Sequence, residues 1–129
     1  MRAVLDTSIF IAHEQGRSVG EPPEEIAVSV VTISELRFGV LATDDLAERS
    51  RRLRTLESAR RVGTPLPIDE PVADELARLR AALKAADRRM NLMDAWIAAT
   101  AMRHKVAVCT QDADFDAAQE AGLLEVVRV

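Results

Sequence analysis

Short apolar runs alternate in this chain with longer stretches whose apolar side chains recur at helical spacing, and the two periods divide it into strands and helices. Residues 2–5 form a first apolar run. Asp6-Thr7-Ser8, three cap-forming residues, ends it ahead of Ile9-Phe10-Ile11-Ala12, which predicts strand, turn, helix. Residues 15–25, with Gly16, Gly20, Pro22 and Pro23, read as a polar loop, a candidate mobile rim for any nearby site. Ile26 to Val31 is β-rich. Thr32-Ile33-Ser34-Glu35 has capping-box spacing and opens a helix through Leu36, Phe38, Gly39 and Val40.

Residues 44–62 predict a second helix with Leu46, Leu53 and Leu56 as its stripe. Arg49, Arg51, Arg52, Arg54, Arg60 and Arg61 surround that stripe. Pro65 to Ile68 is a short strand candidate. Asp69 then caps a helix with Pro71 in its first turn and a core stripe at Val72, Leu76, Leu79, Leu83 and Ala86. A strand follows over Val106-Ala107-Val108, then a turn over residues 110–115, a short helix at 116–121 and a last strand over Leu123 to Val127. Short apolar strands separated by helices predict an α/β fold: a parallel β-sheet flanked by helices on both faces. No repeat, low-complexity tract or linker interrupts residues 1–129, so a single domain is expected.

Between these elements lies a helix of small and apolar residues, Asn91 to Ala101, with one carboxylate near its start. Asp94 has Ile97, Ala98 and Ala101 at i+3, i+4 and i+7, so it belongs to an apolar face, where an unpaired charge is costly. A local explanation exists. Asn91 can be the N-cap, and Asp94 at the third helical position would favour the positive end of the helix dipole.

Composition narrows the function classes. A single cysteine, Cys109, rules out an internal disulfide and suits a reducing compartment. With that thiol and only His13 and His104, a zinc site of usual ligand count is not expected. No apolar run is long enough to span a membrane, and no signal-peptide pattern opens the chain, so a cytoplasmic protein is expected. The net charge of −4 excludes a generally basic nucleic-acid binder. Fifteen of its seventeen cationic residues are nevertheless arginine, the side chain that best pairs with phosphate. Phe10, Phe38, Trp96 and Phe115 are the only aromatics, too few for a sheet that stacks bases on rings.

Ligands of open α/β sheets sit beyond the carboxyl ends of the strands. Asp6 follows the first predicted strand directly, Glu35 lies one helical turn beyond the second, and Asp112 and Asp114 follow the strand ending at Cys109. Asp94 opens the helix leading into that strand. Each acid alone reads as a cap or turn residue. Together, in neighbouring strands, they would concentrate negative charge at one edge, and no Lys or Arg lies within three residues of Asp6 or Asp112. Like charges that close take up protons or bind a cation. Carboxylates without His or Cys suit a hard ion, Mg²⁺ or Mn²⁺.

Other α/β chemistries lack their signatures. The first strand is followed by no GxGxxG, and GxxxxGK[ST] is absent. Asp6-Thr7-Ser8 lacks the second aspartate of an aspartyl-phosphate transferase. Ser8 and Ser34 have no nearby histidine to act as base.

Four segments in this order, Val4-Leu5-Asp6-Thr7-Ser8, Thr32-Ile33-Ser34-Glu35-Leu36-Arg37-Phe38-Gly39, Asp94-Ala95-Trp96-Ile97-Ala98-Ala99-Thr100-Ala101 and Thr110-Gln111-Asp112-Ala113-Asp114-Phe115, resemble the PIN-domain ribonucleases, and most of all the VapC toxins of toxin–antitoxin pairs. The resemblance covers essentially the whole chain. It implies a PIN-like fold and a metal-dependent endoribonuclease in which Asp6, Glu35, Asp94 and Asp112 hold Mg²⁺ or Mn²⁺. Asp114 would be a variable addition, and Thr7 or Thr110 a supporting hydroxyl. Gln111 stands where the family often has Arg or Asn. The resemblance further implies an RNA substrate such as tRNA or rRNA, a VapB-like antitoxin and a homodimer. Arg49, Arg52 and Arg60 could help an acidic pocket hold RNA. The alternatives are a non-catalytic PIN-like module that binds RNA or protein, and an α/β protein whose acids are merely caps.

Overall fold

The computed structural model describes residues 2–129. The apolar run Arg2–Leu5 is strand β1, and Asp6 turns it straight into helix α1 (Thr7–Glu14). Strand β2 (Glu25–Ala27) leads into α2 (Val30–Leu41), which α3 (Leu46–Arg60) and α4 (Glu70–Ala85) follow. Helix α5 (Leu92–His104) then feeds β3 (Ala107–Thr110), and α6 (Asp116–Glu120) connects it to β4 (Val126–Arg128). The strands form one parallel sheet in the order β2-β1-β3-β4. After β1 the chain goes first to one neighbour and later to the other, so the order reverses between β1 and β3. That is the crevice where α/β sheets take their ligands.

Alternation along the central strands sorts the core onto two faces. Val4 and Val108 pack with Val72, Leu79, Ile97 and Phe115 from α4, α5 and the segment before α6. Ala3, Leu5, Ala107 and Cys109 face the other way, onto Ile9, Phe10, Leu36 and Leu56. Both faces of the sheet are covered, as the apolar runs predict.

Caps set most boundaries. Asp69 accepts from the Val72 N–H at 3.1 Å, with Pro71 in the first turn, and Asn91 accepts from the Met93 N–H at 2.8 Å. The α2 boundary departs from expectation. Ser29 caps the helix through the Val31 N–H at 3.0 Å, so Val30 and Val31 are helical rather than strand. β-Branched residues read as strand by propensity, and a buried cap overrides it. The predicted capping box therefore dissolves: Thr32 and Glu35 both lie inside α2.

Pro65 to Ile68 is not a strand. Leu66 makes a single parallel bridge to Ser29, its N–H donating to the Val28 carbonyl while its own carbonyl accepts from Val30. Two prolines flanking one residue leave room for no longer ladder. On α3 only Leu56 of the expected stripe is buried, joined by Ala59, while Leu46 is 79% exposed and Leu53 40%. Ala86 is the exposed C-cap of α4 and lies outside its stripe. The last strand begins three residues later than expected, at Val126.

Lys105 ends α5 in the left-handed region, at φ 55 and ψ 46. An L residue there carries about 1–2 kcal/mol of strain, and glycine's extra unfolded entropy returns about 0.5–1 kcal/mol of that. Lys105→Gly should therefore raise the melting temperature by a few degrees, measured by thermal denaturation.

Candidate active site

The expected acids converge on the carboxyl edge of the sheet. Asp6 directly follows β1, and its N–H donates to the Cys109 carbonyl at 2.8 Å, pinning it beside the end of β3. It stands at the N-cap position of α1, yet its side chain caps nothing. Its Oδ2 instead accepts from Thr110 Oγ1 at 2.9 Å across the strand pair. The carboxylate is buried, and burial raises its pKa, partly offset by the hydroxyls of Ser8 and Thr110, while Asp112 pushes it further up.

Two hydroxyl relays hold these acids. Thr110 Oγ1 also lies 3.2 Å from Asp112 Oδ1, so one hydroxyl bridges the acids that end β1 and β3. Ser8 Oγ lies 3.2 Å from Thr110 Oγ1 and accepts from the Gln111 N–H at 3.1 Å, which adds a second hydroxyl to the brace. On the other flank Thr7 Oγ1 donates to Glu35 Oε1 at 2.8 Å. Thr32 Oγ1, 2.9 Å from Thr7, must then be the donor to Thr7. Thr32 sits one turn before Glu35 on α2, so both reach α1 from the same helix face. Burial raises the Glu35 pKa, the Thr7 hydrogen bond lowers it, and Asp6 raises it again.

Asp94 enters from the opposite direction. Helix α5 runs back along the sheet to feed β3, which brings its N-terminus to the carboxyl edge. Asn91 already caps it, and the Asp94 carboxylate makes no hydrogen bond or ion pair among the described residues. Its pKa is pushed up to about 7, first by burial and then by the charges of Asp6, Asp114, Glu35 and Asp112. Five acids from four parts of the chain thus share one field. Asp114 is exposed, with its N–H 3.4 Å from Asp112 Oδ1; its pKa is raised by desolvation and by Asp112.

No Lys or Arg among the described residues forms an ion pair with any of these acids. Arg52–Glu48, Arg78–Glu75, Arg88–Glu120 and Arg128–Asp116 are ion pairs with other carboxylates. As the side chains stand, no three acid, imidazole or thiol groups among those residues are placed to hold a metal ion together. Glu35 borders one surface groove, Asp94 and Asp114 border another, and Asp6 is buried. Oxygen donors braced by hydroxyls, with no His or Cys among them, fit a hard ion that keeps several waters and shares its shell with substrate phosphate, as Mg²⁺ does.

A model of the PIN domain matches residues 3–121. Ribonuclease VapC5 of Mycobacterium tuberculosis is 47% identical over 128 residues, spanning 98% of this chain and 94% of its own length. The chain belongs to the VapC family of PIN-domain ribonucleases. Ribonuclease VapC4 of the same organism is 42% identical over 130 residues, with 97% of each chain covered. The crystal structure of VapBC-5 from Mycobacterium tuberculosis, a member of the VapBC toxin–antitoxin systems, superposes with a TM-score of 0.87 at 43% identity, over 99% of this chain and 98% of that one. The four-stranded parallel sheet with its helices is the PIN-like α/β fold. VapC ribonucleases are in general dependent on a divalent metal.

Within this VapC site several residues carry roles that the sequence did not single out. Ser8 and Thr32 complete the relays; their only sequence signal is spacing, two residues after Asp6 and three before Glu35. Gln111 donates from Nε2 to the Ser18 carbonyl at 2.9 Å and the Val129 carbonyl at 3.0 Å, tying the 15–25 loop to the end of β3. Of the α3 arginines, Arg49 donates to the Thr43 carbonyl at 2.8 Å. Arg52 donates to the Gly39 carbonyl at 2.6 Å and pairs with Glu48, although it also borders a groove that reaches Glu35. Arg60 is exposed.

Thr110→Val removes the bridge and keeps the shape. It strips a hydrogen bond from the buried Asp6 carboxylate, so unfolding should become easier by about 1–3 kcal/mol. Chemical denaturation in EDTA would measure that loss.

Proposed function

We propose that residues 1–129 act as one PIN domain that hydrolyses RNA phosphodiester bonds endonucleolytically with Mg²⁺ or Mn²⁺, as the toxin of a toxin–antitoxin pair. One observation carries the reading: Asp6, Glu35, Asp112 and Asp114 crowd their charges around the half-buried Asp94 at the sheet's switch point, and no cation among the described residues pairs with any of the five. Asp6, Glu35, Asp94 and Asp112 would hold the ion, with Asp114 joining from the rim. When bound, the ion neutralises charge developing on the phosphate and lowers the pKa of the attacking water.

The chain's own groups do the rest. Thr7 holds Oε1 of Glu35, leaving the other oxygen to orient the attacking water and take its proton. Burial raises the proton affinity of Glu35, which suits a base. Thr110 fixes Asp6 and Asp112 in one orientation, so the ligands need little reorganisation. The surface grooves that Glu35 and Asp94 border would admit a splayed RNA loop, as tRNA and rRNA present. Arg52, beside the groove that reaches Glu35, and Arg60 would add cationic support, while Arg49 anchors the α2–α3 turn.

A VapB-like antitoxin is the partner we assign, in keeping with the toxin–antitoxin system to which VapBC-5 belongs. Phe38, Leu41 and Leu46 are 71%, 69% and 79% exposed around the α2–α3 turn, an apolar surface suited to a protein partner. We also assign a homodimer. No described helix is long and apolar enough to cross a membrane, and we assign the protein to the cytoplasm, where it would meet a tRNA or rRNA target.

The test is cleavage of a mixed cellular RNA pool by purified, antitoxin-free protein. Discrete fragments with Mg²⁺ or Mn²⁺ and none in EDTA are expected. Intact RNA from folded protein that takes up the ion would instead favour a non-catalytic binding module.

A further inference from the structure

Basic residues gather at one corner of the molecule, where α4 ends and α5 begins. Ala86, Asp87 and Arg88 close α4 in a Schellman turn: the Asp87 N–H donates to the Lys84 carbonyl at 3.1 Å and the Arg88 N–H to Leu83 at 2.8 Å, with Asp87 left-handed at φ 53. Arg88 then pairs with Glu120 of α6. These contacts fix the backbone from which Arg89 projects, two residues before the Asn91 cap and five before Asp94.

Two grooves meet at this corner. One, of about 450 Å³, is lined by Asp94 and Asp114 together with Arg88 and Arg89. The other, of about 420 Å³, shares Arg88, Arg89 and Met90 and continues past Lys84 to Arg80, with Asp87 its only acid. Arg80 and Lys84 lie one turn apart on α4, about 6 Å along its axis, comparable to neighbouring phosphates of an extended strand. Arg80, Lys84 and Arg89 are exposed and make no ion pair or side-chain hydrogen bond among the described residues. Leu92, 53% exposed, gives the second groove an apolar side. On α3, by contrast, Arg49 and Arg52 already donate to backbone carbonyls.

We propose that the RNA strand leaves the carboxylate site along the α4–α5 corner, its phosphates held in turn by Arg89, Lys84 and Arg80. An acidic centre repels its polyanionic substrate, and unpaired cations that begin where the acids end offset that repulsion. Leu92 offers a face on which a base can rest without sequence preference. This inference rests on the ribonuclease reading.

The experiment compares the full chain with an Arg80→Ala, Lys84→Ala, Arg89→Ala triple variant, and with Arg103→Ala at the far end of α5 as a charge control. In an Asp94→Asn background, which prevents cutting, binding of a fluorescein-labelled single-stranded RNA of mixed sequence is followed by anisotropy against salt. The triple variant should bind at least tenfold more weakly, and its log K against log salt slope should fall by about 2, near 0.7 for each of three lost phosphates. Arg103→Ala should leave both within error. In the cutting background the triple variant should raise KM and leave kcat close to wild type. Unchanged affinity and slope, with wild-type protein that still cuts RNA, would overturn the track alone. A triple variant that keeps its RNA affinity but loses its antitoxin would overturn it too, assigning the corner to an acidic protein segment. Wild-type protein that cuts no RNA would sink the ribonuclease reading instead.

Discussion

Asp94→Asn should lower RNA cleavage by about 10²–10³-fold or more and, in EDTA, should melt higher than the wild type. The two effects have one cause. The substitution keeps the shape and the third position of α5 and removes only the charge. Asn91 supplies the cap, and the Asp94 carboxylate has no hydrogen-bond partner among the described residues to lose. What it loses is the cost of burying a charge and, after that, repulsion from Asp6, Asp114, Glu35 and Asp112. A residue serving only the helix dipole would behave oppositely, costing about 0.3–1 kcal/mol on neutralisation and leaving cleavage intact. Cleavage assays and melting curves on the same preparation separate the cases. Full activity with a lowered melting temperature would return Asp94 to the role of a cap.

The second large effect is on stability against pH. Asp94 titrates near 3.8 when unfolded and at about 7 when folded. Between those values the native state holds a proton that the unfolded state has released, so stability falls as pH rises through the window. Asp6, Glu35 and Asp114 are raised too and act in the same sense. The displacement of Asp94 is worth about 4 kcal/mol at full strength, and solvent screening of a half-buried group reduces it to about 1–2 kcal/mol. In EDTA the protein should melt several degrees lower at pH 8 than at pH 5.5. Saturating Mn²⁺ should close that gap, because the ion binds only the deprotonated form and stabilises most where protons are scarce. A melting temperature that rises with pH in EDTA would contradict the raised titrations.

Much of this site was legible in the sequence because the acids occupy positions that topology converts into place. Asp6 and Asp112 follow strands that pair in register, Val4 with Val108 and Leu5 with Cys109, so parallel pairing alone brings them together. Asp94 was legible for another reason: an acid on a face of alanines and isoleucine announces an unmet charge. Glu35 was placed on its helix but assigned the wrong local partner. Ser29 captured the cap and shifted the helix start, which freed Thr32 and Glu35 to turn towards Thr7. That choice depends on burial, and burial depends on what packs nearby. The α3 stripe failed for the same reason. Leu46 and Leu53 have helical spacing but remain 79% and 40% exposed. The corner cations escaped because their meaning lies in a shared groove between α4, α5 and the Asp114 turn, which no local window contains.

The central claim is that Asp6, Glu35, Asp94 and Asp112 act as one cation site. Calorimetric titration of Mn²⁺ at pH 7.5 into the wild type and into Asp6→Asn, Glu35→Gln, Asp94→Asn and Asp112→Asn tests it most directly. Saturable binding with proton release is expected in the wild type, weakened about tenfold or more in each variant. Equal affinity in all five proteins, or no uptake by folded wild type, would contradict it.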